Sequence, residues 1–197
     1  MKSLQTIIYL FALVVTCAML ASAQTPKPDV NHYDKDGLAF DYPKGWSLED
    51  SSNADAQQMV LARPDSDAQI KFYIHRNSIK AENLEKARKS LVDPYIDGIV
   101  KTFERMGAHP ERSLASSEIA GGKADGAKLV AVLEGEPGAA EIYWALVEGR
   151  LVVLTFFGPD KAMKRANPAW DMVRTTLTIQ GEAPAQPKPS PKMTPAP

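Results

Sequence analysis

Cysteine is scarce in this sequence: the only one among 197 residues is Cys17. It lies in an uncharged apolar run over residues 7–20, which is followed by Ala-Ser-Ala at 21–23. A run of this length is short for a membrane-spanning helix, and small residues directly after it are typical of a signal-peptidase cleavage site. We therefore predict a cleaved signal peptide over residues 1–23 and export of the mature chain, either to the periplasm or out of the cell.

Loss of this segment would leave the mature chain without a thiol, which excludes disulfides, a cysteine nucleophile and thiolate metal ligands. The chain also lacks an excess of either charge. Without Lys2, it would hold 22 Lys and Arg residues against 24 Asp and Glu residues. This balance gives no electrostatic reason to bind nucleic acid or an anionic membrane, so we predict no nucleic-acid partner. No second apolar run is long enough to predict a transmembrane segment after cleavage.

Large apolar residues are scarce at both ends of the mature chain. We interpret residues 24–29 as a linker and residues 181–197, which contain six prolines, as a disordered tail. Such a composition can bury almost no apolar surface and favours extended polyproline conformations. The Pro-Lys-Pro-Ser-Pro segment at 187–191 is a candidate for docking on an aromatic groove or for tethering. One folded domain is predicted between these ends, over residues 30–180.

Several segments alternate between apolar and polar residues and are predicted to be β-strands. Short turns connect them, which favours a mainly antiparallel sheet. The segment 151–157 is apolar on both faces, so we expect it to be central, in a hairpin with 141–147 through Glu-Gly-Arg at 148–150. A further turn is predicted at Glu136-Pro137-Gly138. The other predicted strands lie at 38–43, 59–63, 69–76 and 127–135.

Apolar residues at helical spacing predict two helical regions. The first covers residues 81–106 and is interrupted at Asp93-Pro94, where we expect an Asp cap with a kink or two abutting helices. The second is predicted to begin at Asn167-Pro168, with Trp170 on its apolar stripe. This order predicts an α+β fold, an αβα sandwich with a mainly antiparallel central sheet covered by helices on both faces.

The segment at 33–50, YDKDGLAFDYPKGWSLED, resembles the start of the PsbP-like family, which is named for an extrinsic subunit of photosystem II. That family begins with a strand, a Gly-led second strand and a Tyr-Pro-x-Gly-Trp turn. Two later segments are also similar to it, EIAGGKADGAKL at 118–129 and the region from Pro168 into TTLTI. The matching residues of the first two segments are Gly37, Phe40, Tyr42, Pro43, Gly45, Trp46, Gly122 and Ala124.

The resemblance implies an αβα sandwich and little about chemistry. Bacterial members of this family are mostly exported or lipid-anchored proteins, and the fold also serves as a protein-binding module. The leader of this chain lacks the Arg- and Ser-rich transit region of photosynthetic members. A photosystem role is therefore not expected.

Motifs for catalysis and for metal or cofactor binding are absent from the sequence. The acidic segment at 33–37 does not continue with oxygen ligands at the positions that an EF-hand calcium loop needs. His32, His75 and His109 lack the spacing of zinc ligands. Ser116-Ser117 does not lie in a Gly-x-Ser-x-Gly elbow. We therefore predict no catalytic residue, no cofactor and no metal site, and a hydrolase is the least favoured function.

One predicted strand carries polar side chains that could form a binding surface. Lys71, Tyr73, His75 and Arg76 supply two cations, a phenol and an imidazole. If no helix covers this surface, we expect it to bind an anion or a partner. The alternative is a rim on which the Tyr73 ring packs.

These observations predict a non-enzymatic exported module that binds an unidentified protein partner or small ligand. The alternative is a carrier of an apolar ligand or lipid, with a cavity between the sheet and the long helix. Such a cavity would be lined by residues such as Tyr95, Phe103, Trp144 and Trp170. A hydrolase would instead require a Ser or an Asp pair beside His75 in a cleft.

Overall fold

The computed structural model describes residues 29–180. The predicted signal peptide, the linker up to residue 28 and the Pro-rich tail lie outside these residues, so the predicted limits of the domain stay predictions. The described strands are β1 Val30–Lys35, β2 Leu38–Pro43, β3 Ser47–Asp50, β4 Ala56–Arg63, β5 Ser66–Ser78, β6 Glu111–Ile119, β7 Gly122–Leu133, β8 Glu136–Val147, β9 Arg150–Pro159 and β10 Thr178–Ile179. The α-helices are α1 Leu84–Ala87, α2 Asp93–Arg105 and α3 Asp160–Thr176, with a 3₁₀ turn at Ala81–Asn83 before α1 and a π-helical segment at Arg88–Val92 between α1 and α2.

Seven of these strands form the main sheet, in the order β3-β4-β5-β9-β8-β7-β6. A small second sheet has the order β1-β2-β10. Every pair of neighbouring strands is antiparallel, which confirms the antiparallel sheet that the sequence predicts. β9 lies between β5 and β8, as expected of a strand that is apolar on both faces.

Four hairpins share one kind of two-residue turn. The turns between β1 and β2, β6 and β7, β7 and β8, and β8 and β9 each consist of a non-glycine residue with φ of 48–52° followed by a glycine with φ of 73–82°. Positive φ at both positions is the geometry of a type I′ turn, whose twist matches that of the flanking strands.

The turn between β7 and β8 differs from the prediction. It lies at Glu134-Gly135, and the predicted turn residues Glu136-Pro137-Gly138 instead begin β8. The reason is conformational, because Gly135 adopts the positive φ that this turn needs, whereas the ring of Pro137 holds φ negative.

The first helical region bends at the predicted Asp-Pro site. Pro94 lies in the first turn of α2, where its missing N–H would have no helical partner in any case. Asp93 is not the backbone cap that the sequence predicts. Its carboxylate accepts two hydrogen bonds from Arg88, at 2.7 and 2.9 Å, and so connects α2 to the π-helical segment.

The last helix begins earlier than predicted. α3 starts at Asp160, directly after Pro159, and Pro168 lies inside it. Met163 and Ala166 are buried in the same stripe as Trp170, so the apolar face of α3 continues on the N-terminal side of the proline. Burial of this stripe offsets the hydrogen bond that Pro168 removes.

The main sheet has two apolar faces with different covers. The closed face carries Phe72, Tyr143 and Phe156, and it packs against α3 and the small sheet. The groove face carries Tyr73 and Trp144, and it packs against α1, the π-helical segment and α2. Helices therefore cover both faces, and the predicted αβα sandwich is confirmed.

The Tyr-Pro-x-Gly-Trp segment forms a corner beside the closed face. β2 ends at Pro43, Gly45 has a φ of 84°, and the Trp46 N–H donates a hydrogen bond of 3.4 Å to the Pro43 carbonyl. The Trp46 side chain is buried in the core of the closed face. This segment therefore has a structural role in returning the chain to the sheet.

Candidate ligand-binding groove

A groove of about 940 Å³ lies between α2 and the groove face. One stripe of the helical region makes the tight contact: Val92 and Ile96 are fully buried against β7, β8 and β9. Tyr95, Ile99 and Phe103, on the adjacent stripe of α2, are only partly buried and line the groove. The helix thus presents an apolar wall that the sheet does not fully cover.

The sheet supplies the rest of the lining. Tyr73 of β5 and Phe157 of β9 are half-buried aromatic residues, and Val60 of β4 lies in the same lining. Residues at the end of β7 and the start of β8, including Leu133, complete it. Most of the surface that a ligand would meet is apolar, as in typical small-molecule sites.

One pair of hydroxyl groups interrupts this apolar lining. The Tyr95 Oη and Thr155 Oγ1 atoms are 2.9 Å apart and share one hydrogen bond. Burial raises the pKa of Tyr95, so its phenol stays protonated over an ordinary pH range. Two hydroxyls carry two protons and their mutual bond uses only one, so the other proton is free to be donated to a ligand.

The groove lining has more negatively charged than positively charged groups. Lys71 contributes one ammonium group, whose Nζ atom lies 4.7 Å from the centroid of the Phe157 ring in a cation–π contact. Asp67, Glu134 and Glu136 contribute three carboxylates. This excess of negative charge does not favour the anion that the sequence suggested as one possible ligand of this surface.

The structure brings together only part of the predicted binding surface. Lys71 and Tyr73 line the groove, but His75 and Arg76 do not. The His75 Nδ1 atom lies 3.1 Å from the backbone N–H of Asn77. Arg76 points toward the small sheet, where its guanidinium forms an ion pair with Asp36 at 3.1 Å and its side chain is 9% exposed. The prediction of one continuous surface is therefore corrected. Arg76 projects to the opposite face because adjacent residues of a strand alternate. His75 has the same alternation as Lys71 and Tyr73 but lies farther along β5, outside the groove lining.

The predicted lining of a carrier cavity is also correct only in part. Tyr95 and Phe103 line the groove. Trp144 is buried in the core under the helices and is not a lining residue. Trp170 lies on the closed face, where it stacks on Phe156 with the ring centroids 5.4 Å apart.

Phe157 and Gly98 are among the groove residues that were not predicted from the sequence. Phe157 lies on the groove face by simple alternation, but only the position of α2 determines whether that face is open. Gly98 lines the groove, and a Cβ atom added to it would meet no atom within 4 Å. A glycine inside a helix is unfavourable by about 1 kcal/mol relative to alanine, and this was the available signal.

The predicted absence of metal and catalytic motifs stays a prediction. Across residues 29–180, no three His, Cys, Asp or Glu side chains are grouped as metal ligands would be. His32 lies in the small sheet, 2.7 Å from Asp41, whereas His75 lies in the main sheet. Within the same range, no helix combines the length and apolarity needed to cross a membrane.

No protein-family model and no curated protein matches this sequence. Among solved structures, the chain is similar to PsbP (CyanoP) from the cyanobacterium Synechocystis sp. PCC 6803, with 14% identity, a TM-score of 0.47, and coverage of 81% of this chain and 98% of that one. A protein from Bacteroides thetaiotaomicron is 11% identical, with a TM-score of 0.52 over 79% of this chain and 49% of its own length. This chain therefore spans about half the length of that protein.

LpqN, a protein involved in cell envelope biogenesis of Mycobacterium tuberculosis, is 18% identical, with a TM-score of 0.44 and coverage of 78% of this chain and 91% of that one. Identities this low bear on the fold alone. The αβα sandwich that the resemblance to the PsbP-like family implies is confirmed by the observed architecture, an antiparallel sheet between two helical layers.

Proposed function

We propose that this protein is a non-enzymatic binding module of the cell envelope or the extracellular space, and that it binds an apolar or amphipathic small molecule. The ligand lies in the groove between α2 and the sheet. The observation that carries this proposal is the groove itself, about 940 Å³ in volume and lined by half-buried aromatic residues. This volume is near the upper end of the range of about 300–1,000 Å³ that small-molecule sites occupy.

The lining indicates the chemistry of the ligand. An apolar chain or ring system would contact Ile99, Phe103 and Phe157, which lose exposed apolar surface when the groove is filled. The free hydroxyl proton of the Tyr95–Thr155 pair would reach one hydrogen-bond acceptor. An uncharged polar group on an otherwise apolar molecule suits this arrangement better than an anionic group does, given the three carboxylates nearby.

The export and the non-enzymatic character are parts of the same proposal. Support for export is the predicted signal peptide over residues 1–23. Support for a binding role without catalysis is the lack of nucleophile and metal-binding motifs in the sequence. A protein partner, the other class of ligand predicted from the sequence, remains a prediction because the Pro-rich tail lies outside the described residues.

The proposal is tested on protein purified from its own host's envelope. We expect native mass spectrometry to detect a bound small molecule, and the delipidated protein to take up a fluorescent fatty alcohol, whose uncharged hydroxyl group suits the lining. Gly98→Leu adds a side chain at a lining position where a Cβ meets no protein atom within 4 Å, so we expect it to narrow the groove. We expect at least ten-fold weaker uptake by this variant, which corresponds to about 1.4 kcal/mol of binding free energy.

Lys101→Leu is the matched control, because Lys101 is exposed on α2 and does not line the groove. This variant should bind as the unmodified protein does. Uptake that Gly98→Leu leaves unchanged would place the ligand elsewhere. A protein that carries no small molecule and takes up no fatty alcohol would overturn the proposed function.

A further inference from the structure

β6 is an outer strand of the main sheet, and its free edge is long and regular. It pairs with β7 through nine consecutive residue pairs without a register shift. Within residues 29–180, no strand pairs with its other side. The N–H and C=O groups along such an edge are available to another strand.

The usual protections of an edge strand are missing from the middle of β6. The five residues at 113–117, Ser-Leu-Ala-Ser-Ser, include no charge and no proline. Leu114 lies among them and is 92% exposed. The opposite edge of the sheet differs, because β3 has only four residues, of which Glu49 and Asp50 are acidic and exposed. Short length and charge are the features that commonly prevent pairing at an edge.

The sequence of β6 is complementary to itself in one register. When a second copy lies antiparallel with Ala115 opposite its own counterpart, all nine residues of β6 pair. The same register places Arg112 of one copy opposite Glu118 of the other, twice by symmetry. It also places Leu114 opposite Ser116 and diagonally next to the second Leu114. Directly opposite and diagonal residues on one face are close enough for their side chains to interact.

Neighbouring groups leave this register accessible. The Arg112 guanidinium is 3.8 Å from Asp97, in an ion pair in which both side chains are well exposed, so it can also reach an acidic residue of a second copy. At the other end of β6, the Glu118 carbonyl accepts a long hydrogen bond of 3.5 Å from Arg174. A carbonyl oxygen has two lone pairs, so this bond leaves room for an incoming N–H.

We propose that two copies of this chain pair through β6, antiparallel and with Ala115 on the two-fold axis, to form one continuous sheet. The symmetry is closed, because each copy uses the same edge, and the pairing leaves no second long uncharged edge free in the main sheet of residues 29–180. No residue of β6 lines the groove, so the dimer is independent of the proposed ligand.

Charge reversal tests the register in the full chain. We expect sedimentation velocity to show a concentration-dependent dimer. Arg112→Glu places like charges opposite each other and should weaken the dimer at least ten-fold, and Glu118→Arg should do the same. The double variant restores opposite charges and should return the dissociation constant to within about three-fold of the original. Rescue by the double variant is an effect that loss of folding in a single variant could not produce.

Disulfide cross-linking tests the proposed position of the two-fold axis. The variants are made in a Cys17→Ser background, so that the introduced cysteine is the only one. Ala115→Cys should cross-link with itself under mild oxidation, because directly opposite Cα atoms of antiparallel strands are about 4.5–5.5 Å apart, which suits a disulfide. Ser117→Cys is the control and should not cross-link, because its own counterpart would lie four residues away along the strand, at about 13 Å. A monomer at every concentration would overturn the proposal. A dimer that ignores charge reversal and does not cross-link at position 115 would also overturn it.

Discussion

On the closed face of the sheet, Trp170 of α3 stacks on Phe156, and Phe40 of the small sheet stacks on Phe72 with ring centroids 4.5 Å apart. On the groove face, Tyr95 and Phe103 of α2 stay partly exposed above the strands. The two faces belong to the same seven strands, and both are rich in apolar side chains. They differ in how many elements cover them.

The widths of these elements explain the difference. Seven strands at about 4.8 Å spacing make a sheet about 30 Å wide, whereas one helix with its side chains is about 10 Å across. The closed face has two covers, α3 and the small sheet. The groove face has one helical region, so part of it stays open. An apolar face of a wide sheet therefore becomes a binding groove where only one helix covers it.

The largest difference between the faces should appear on truncating one aromatic residue from each. Trp170→Ala should lower the free energy of unfolding by about 3–5 kcal/mol, because Trp170 is buried between α3 and the sheet. Phe103→Ala should lower it by only about 1 kcal/mol, because Phe103 already faces the groove. Urea unfolding measures both values. Equal losses would show that the groove closes in solution and would remove the contrast.

A buried charge distinguishes the closed face further. Arg150 is fully buried, and its guanidinium donates to the His75 carbonyl at 3.1 Å and to the Gln57 side chain at 2.5 Å. Gln57→Ala removes one acceptor of this cation and should lower the free energy of unfolding by about 2–3 kcal/mol. Gln58→Ala, at the next and half-buried position on the groove side, should change it by less than about 0.5 kcal/mol. A small effect at both positions would mean that water replaces the lost acceptor.

Alanine substitutions at two glycines should change the free energy of unfolding in opposite directions. A Cβ atom at Gly126 would lie 2.8 Å from the Ile142 carbonyl oxygen and against the Tyr143 ring, so Gly126→Ala should lower the free energy of unfolding by about 1–3 kcal/mol. Gly98→Ala should raise it by about 0.5–1 kcal/mol, because the site is open and alanine favours the helix. Thermal unfolding of the two variants gives the comparison. Destabilisation by Gly98→Ala would mean that α2 lies closer to the sheet than described here.

The smallest predicted effect is a pH dependence. Burial and the nearby Glu141 carboxylate raise the pKa of Tyr143, on the closed face, to about 12. The phenol ionises near pH 10 in the unfolded chain, so its contribution to stability is complete below pH 10 and is lost as the pH rises to 12. We expect the free energy of unfolding to fall over this range, with on the order of 1 kcal/mol of the fall due to Tyr143.

Tyr143→Phe should remove that part of the slope and leave stability near pH 7 almost unchanged. Tyr73→Phe, on the groove face, is the control. Burial also raises the pKa of Tyr73, but this side chain is more exposed than that of Tyr143, so this variant should change the slope less. Equal changes for both variants would indicate that the two faces exclude water to a similar degree.

The sequence predicts the sheet well because the information on strands is local. Alternation predicts that Ile70, Phe72 and Ile74 share one face, and all three are buried in the core of the closed face. The predicted start of α3 was wrong because the Asn167-Pro168 pair, which resembles a helix cap, is a stronger local signal than the apolar stripe that precedes it. The N-terminal end of α3 depends on packing against the sheet, which a local sequence pattern does not predict.

The groove could be predicted only in outline. Helical spacing identified Tyr95 and Phe103, but the sequence does not reveal which strands α2 covers. Trp144 and Trp170 were also predicted to line a cavity, but Trp144 is buried in the core under the helices and Trp170 packs on the closed face. A groove depends on the distance between elements that are remote in sequence, and patterns within one element carry no information on that distance.

The shared turn geometry of the hairpins has a consequence for the order of folding. Three of the four turns join β6, β7, β8 and β9 in succession, so each of these strands pairs with its neighbour along the chain. Contacts across a two-residue loop form rapidly because little chain entropy is lost on closing it. β5 pairs with β9 only after the chain returns from the whole of this meander. We expect the meander to form first and β5 to join it late, so the strand that contributes Lys71 and Tyr73 to the groove completes it near the end of folding.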